Sequence, residues 1–128
     1  MSSSNVEIVR RAFDAWARRD FEAALALSDP EVVLHDPGRT GATFRGHDDL
    51  VRFWEEWLEN WDEYRVEPKE FIEVGDEVFV ASDQTGRASL TGIEVSQDLF
   101  QVFKLRDGVL VELRIYTDRA PALDSMSG

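Results

Sequence analysis

One carboxylate is set apart by its neighbours. In Glu31-Val32-Val33-Leu34-His35-Asp36 apolar and polar residues alternate, so Val32, Leu34 and Asp36 share one face and His35 points the opposite way. Asp36 therefore ends an apolar row. A carboxylate placed among apolar side chains is the residue type that abstraction of a proton beside a carbonyl requires. The same Asp, ahead of Pro37-Gly38, also suits a turn in which it accepts backbone hydrogen bonds. The two histidines add little: His35 cannot form a dyad with its strand neighbour Asp36, and neither His35 nor His47 has a partner at ligand spacing, so no metal is expected. His47 fits a capping or surface role. The chain has no cysteine, which excludes disulfides and thiolate chemistry. It also carries no glycine-rich phosphate loop and no serine in a nucleophile elbow, so no cofactor is expected.

The residues that could position Asp36 belong to a chain of one-domain length, 128 residues. Its 26 acidic residues against 14 basic ones give a formal net charge of −12, which argues against nucleic acid or an acidic membrane face as a partner. The N-terminal Met1-Ser2-Ser3-Ser4-Asn5 has no secretory pattern, and no apolar run approaches the roughly 20 residues of a membrane span. A cytoplasmic protein is the expectation.

Hydrophobic spacing predicts a helix from about Asn5, as N-cap, to Arg19, with Val6, Val9, Phe13, Trp16 and Ala17 on one face. A short helix follows from Phe21 to Leu27, capped by Asp20, and then the strand that ends at Asp36. A third helix is predicted from about Asp48 to Trp61. Leu50, Phe53, Trp54, Trp57, Leu58 and Trp61 form its stripe, read first as core and second as a stacking surface for a ligand. From Tyr64 the period becomes two, and four strands are predicted: Tyr64–Val74, Glu77–Arg87, Ile93–Leu105 and Val109–Thr117. Gly75-Asp76 and Asp107-Gly108 are hairpin turns. The order argues an α+β fold in which helices pack on an antiparallel sheet. Residues 1–4 and 121–128 read as disordered tails.

This order, together with Val9-Arg10-Arg11-Ala12-Phe13-Asp14-Ala15-Trp16, His35-Asp36-Pro37, Phe44-Arg45-Gly46 and Phe103-Lys104-Leu105-Arg106-Asp107-Gly108, resembles the superfamily of nuclear transport factor 2, ketosteroid isomerase and the SnoaL-like polyketide cyclases. The resemblance spans residues 5 to 120. It implies a cone-shaped (cystatin-like) fold, with three N-terminal helices on a curved, mainly antiparallel sheet around an apolar pocket.

Strand phase then assigns the lining. Ile93, Val95, Leu99, Gln101, Phe103 and Leu105 share a face, as do Leu113, Ile115 and Thr117 in the last strand and Leu34 in the first. Trp16 and Trp54 would reach the pocket from the helices. The resemblance implies that Asp36-Pro37 carries the base of the isomerases, so Asp36 is the expected catalytic base. Where those enzymes place two oxyanion donors, this chain has Ala12 and Gln101; the Gln101 amide is the expected remaining donor. Arg114 has the outward phase, which disfavours the epoxide-hydrolase chemistry also found on this fold. The expected function is a small-molecule pocket protein, an isomerase or cyclase acting on an apolar carbonyl compound of steroid or polyketide type. The alternatives are a non-catalytic binder of small lipophiles, or a dimerising domain. A homodimer through the outer sheet face, with Glu112, Arg114 and Tyr116, is expected under any of them.

Overall fold

The computed structural model describes residues 2–36 and 41–126, and the side chains from Asn5 onward. The turn expected at Pro37-Gly38 and the last two residues of the expected C-terminal tail lie outside the described residues. Helix α1 (Ser2–Ala17) begins ahead of Asn5, which is therefore inside the helix and not its N-cap. The segment read as a disordered N-terminal tail supplies its first turn. The helix ends earlier than expected because Arg19 takes a left-handed conformation, φ 59°. Asp20 N–H then donates to Ala15 O at 2.9 Å and Arg19 N–H to Trp16 O at 2.9 Å, a Schellman closure built on an arginine instead of the usual glycine. Helix α2 (Phe21–Ala26) starts as predicted, with Asp20 accepting from Ala23 N–H at 3.1 Å.

Strand β1 (Ser28–His35) pairs with the short β2 (Thr43–Arg45), and α3 (Gly46–Leu58) follows. Helix α3 is shorter than its apolar stripe. Trp61 does not continue the helix but opens strand β3 (Trp61–Val74), because the chain turns at Glu59-Asn60 and the strand period takes over. Strands β4 (Glu77–Ala88), β5 (Glu94–Arg106) and β6 (Val109–Tyr116) complete one six-stranded sheet in the order β2-β1-β6-β5-β4-β3. Every neighbouring pair is antiparallel except β1 and β6, which run parallel with Leu34 opposite Leu113. Both predicted hairpins are present. Asp107 (φ 54°) and Gly108 (φ 77°) are both left-handed, as the twist of a tight hairpin demands.

The inner face carries two packed clusters. Val9 of α1 meets Val78, Val80, Phe103, Leu105 and Leu110, while Leu50 and Phe53 of α3 meet Val32, Leu34, Leu99 and Ile115. Each fully buried aliphatic side chain contributes about 1.5–3 kcal/mol relative to exposure, so these two clusters fix the helices on the sheet. Ile93, expected on the inner face, is exposed at the end of the β4–β5 connection and is not part of either cluster.

The C-terminal segment departs from the reading of a tail starting at 121. Residues Arg119–Asp124 form helix α4, whose Ala122 is wholly buried against Phe79, Phe100 and Val102 on the outer face of the sheet. Leu123, Met126 and Tyr116 pack beside it. Ala122 and Leu123 are its apolar anchors, and the outer face of the sheet offers them a seat.

Candidate functional site

Between the helices and the inner face of the sheet lies a partly enclosed cavity of about 120 Å³. From α1 it is lined by Ala12, Phe13 and Trp16, and from α3 by Leu50, Phe53, Trp54 and Trp57. The sheet contributes Tyr64 and Val66 of β3, Leu99, Gln101 and Phe103 of β5, and Leu113 and Ile115 of β6. The register explains the set: Gln101 lies opposite Ile115, and Phe103 opposite Leu113, so these side chains leave the sheet on the same side.

The aromatic wall is held by its own contacts. The Trp16 ring meets Tyr64 edge to face at 5.8 Å, and Trp57 meets Tyr64 at 6.0 Å. Phe13 meets Phe103 at 5.6 Å, and Phe53 stacks on Phe44 at 4.5 Å. Arg19, outside the lining, braces this wall, its guanidinium 4.5 Å above the Trp16 ring while donating to Tyr64 O at 2.6 Å and Trp16 O at 3.0 Å. Burial foremost lowers the Arg19 pKa from its ordinary value.

Polar groups run along one line of the inner face. Gln101 is buried, and Ser82 Oγ lies 2.9 Å from both Gln101 Oε1 and Leu99 O. Gln84, also buried, accepts a hydrogen bond from the Tyr64 hydroxyl. Ser82, Gln84 and Tyr64 were not among the residues expected in the site. The signal was present, since Val78, Val80, Ser82 and Gln84 alternate in one phase, and two polar residues in an inward phase point to a hydrogen-bonded site.

Seven of the expected site residues line this cavity: Trp16, Trp54, Leu99, Gln101, Phe103, Leu113 and Ile115. Leu34 is wholly buried in the cluster beneath it, and Thr117 lies instead beside Ser82, Asp83, Asp118 and Arg119 in a separate depression. Asp36 is wholly buried one residue beyond β1, and burial alternates through Val32, Leu34 and Asp36. Its N–H donates to Ala42 O at 3.0 Å, and its carbonyl accepts from Gly41 N–H at 2.7 Å. It is not among the residues that line the cavity. His35 faces the other way: its Nε2 is 3.3 Å from Glu112 Oε2 and its Nδ1 3.1 Å from Thr43 Oγ1. His47 Nε2 is 3.4 Å from Ser28 O, which joins the start of α3 to β1.

The outer face holds the remaining charges. Arg114 Nη2 donates to the buried Glu77 Oε2 at 3.0 Å, and Nη1 lies 3.3 Å from Glu112 Oε2. Its Nε and Nη2 also donate to Ser125 just past α4. Burial on its own would lower the Arg114 pKa, but the hydrogen bond and charge of Glu77, joined by Glu112, hold it above its ordinary value. Arg114 is thus engaged on the outside, away from the cavity.

A helix-backed, curved sheet around one apolar cavity defines the cone-shaped class of α+β proteins. Residues 9–113 match the SnoaL-like domain family, and the chain belongs to it. Among solved structures it is similar to TerC co-crystallised with polyporic acid, at 27% identity over 90% of this chain and 92% of that one, TM-score 0.81. It is similar to an NTF2-like protein of unknown function from Burkholderia pseudomallei K96243, at 26% identity over 98% of each chain, TM-score 0.81. A hypothetical protein from Catenulispora acidiphila DSM 44928, with a ketosteroid isomerase-like fold and in complex with trimethylamine, shares the fold at 17% identity, covering 92% of this chain and 90% of that one, TM-score 0.79. No curated protein matches the chain. Among the described residues, no helix is long and apolar enough to cross a membrane.

Proposed function

We propose that this chain binds a small apolar carbonyl compound in the cavity, with the ligand oxygen received by Gln101. The observation that carries the reading is a cavity walled by aromatic and aliphatic side chains with one buried amide facing it from β5. An apolar lining with few convergent polar groups is how small-molecule sites obtain both affinity and orientation. TerC, co-crystallised with a small molecule, lends support from a similar fold. The test is a thermal-shift comparison of carbonyl compounds with hydrocarbons of matched shape. The carbonyl compounds stabilise the wild type more, and Gln101→Leu abolishes that preference; an unchanged preference in the variant overturns the role of Gln101.

The catalytic form of this reading makes the protein an isomerase, and of the steroid or polyketide substrates expected it keeps the enolisable carbonyl but not the fused rings. The Asp36 carboxylate takes a proton from carbon beside the carbonyl, and the C–H electron pair moves to oxygen as an enolate. The Gln101 amide donates a hydrogen bond to that oxygen. The enolate then regains a proton at another carbon. This form rests on the inward alternation and complete burial of Asp36, and it requires the substrate to reach past the cavity lining, which does not include that residue. Asp36→Asn then abolishes turnover while ligand binding persists; turnover by the variant sinks the catalytic form and leaves the binder.

A homodimer through the outer sheet face is proposed as well, supported by the partial exposure of Lys104, Glu112 and Tyr116 beside α4. Sedimentation velocity across a hundredfold range of concentration decides it.

A further inference from the structure

Building on the binding reading above, we propose that the ligand is one uncharged, planar ring with a single hydrogen-bonding oxygen, and that fused multi-ring compounds of steroid or polyketide size are excluded by the walls. The cavity measures about 120 Å³. A cavity of roughly 150 Å³ admits benzene, whereas sites for drug-sized ligands run to about 300–1,000 Å³. The space here is that of one ring.

The walls are not free to swing outward. Tyr64 is buried, its hydroxyl is bonded to Gln84, and its backbone carbonyl is held by Arg19. Phe53 is stacked against Phe44, and Phe13 rests edge-on against Phe103. Widening the cavity by a second ring breaks one of these contacts, and close-packed interiors resist such strain.

The lining excludes charge as well. Among the described residues, no Lys or Arg lines the cavity, so a carboxylate ligand meets no counter-ion. A cation is drawn to an open aromatic face within about 6 Å. Here the Trp16 ring already carries the Arg19 guanidinium at 4.5 Å, and Trp16 and Trp57 meet Tyr64 edge to face at 5.8 and 6.0 Å, so these rings are engaged with one another and with Arg19. The one carboxylate residue in the lining, Glu112, has its Oε2 3.3 Å from both Arg114 and His35.

The experiment is a thermal-shift and calorimetric series on the full chain. The probes are cyclohex-2-enone and p-cresol as single rings, 1-tetralone as a fused pair, and androstenedione and polyporic acid as larger compounds. Benzoate and benzyltrimethylammonium are the charged single rings. The single neutral rings raise the wild-type Tm by about 5 °C at tenfold their Kd, and the larger and charged compounds leave it unchanged. Trp54→Ala removes one wall and admits 1-tetralone; Leu113→Ala, a smaller cut from the sheet side, serves the same comparison should the tryptophan variant fail to fold. A wild-type shift with androstenedione or polyporic acid overturns the size limit and leaves the binding reading standing. A stronger shift with either charged ring overturns the exclusion of charge. No shift with any compound, in the wild type or in the enlarged variants, overturns the binding reading and this inference together.

Discussion

Glu77 and Arg114 meet on the outer face with side chains 2% and 13% exposed. Removing one member of such a pair strands a charge away from water, at a cost of about 3–5 kcal/mol, whereas replacing both by apolar residues of similar size is often neutral. Glu77→Gln is therefore expected to destabilise by about 3 kcal/mol in urea unfolding, and Glu77→Leu combined with Arg114→Met to recover most of that loss. A double variant as unstable as the single one refutes the account. Gly86 makes a steric case. A Cβ there would lie 2.6 Å from Trp61 Cε3 and 2.8 Å from the Glu63 carbonyl. The backbone contact cannot be relieved by a side-chain rotation, so Gly86→Ala is expected to cost about 1–3 kcal/mol and to displace Trp61 from Tyr64. Tryptophan fluorescence and urea unfolding read the two effects; a variant of wild-type stability contradicts the contact. Little of this was visible in the sequence. Gly86, near the end of the predicted strand Glu77–Arg87, reads as a turn of the sheet, whereas it lies inside β4, and nothing in its neighbours announces the indole that fills the missing side chain.

Helix α4 shows why some elements were legible and others not. The hairpins at Gly75-Asp76 and Asp107-Gly108, the Asp20 cap and the strand phases of β5 and β6 were readable, because each is decided by residues within a few positions. Trp61 was misplaced because a helical stripe and the first residue of a strand agree at that one position. The C-terminal stretch from residue 121 lacks periodicity strong enough to declare a helix, and only the apolar patch of Phe79, Phe100 and Val102 gives it a reason to fold. Arg119 helps dock it, with bonds of 3.0 and 3.3 Å to the Glu70 carboxylate and its guanidinium over the Phe79 ring. The Arg119 hydrogen bond holds the Glu70 pKa below its ordinary value. The contact is accordingly complete above that ordinary value and is lost as pH falls through the lowered one. In an NMR titration, Arg119→Ala is expected to move the Glu70 carboxyl upward in pH; an unmoved titration means that the bond does not persist in solution. Deleting residues 119–128 bares the patch and is expected to lower the Tm and promote self-association, which sedimentation detects.

At the scale of the whole molecule, the formal charge of −12 loads the folded state with repulsion that the unfolded chain relieves by expanding. Raising NaCl from 10 to 300 mM shortens the screening length from about 30 Å to well under 10 Å, so the Tm is expected to rise. A fall in Tm shows that local pairs such as Arg119 with Glu70 outweigh the net repulsion. The parallel seam between β1 and β6 has a consequence of another kind. On an emerging polypeptide, Leu34 appears well ahead of its partner Leu113, so β1 waits with one edge unpaired while the three residues of β2 cover part of the other. Loop closure across that span opposes the pairing entropically, and the β3–β6 meander, whose neighbours are local, can zip first. The seam is then the last stitch of the fold, and the cavity comes into existence only when it is drawn shut.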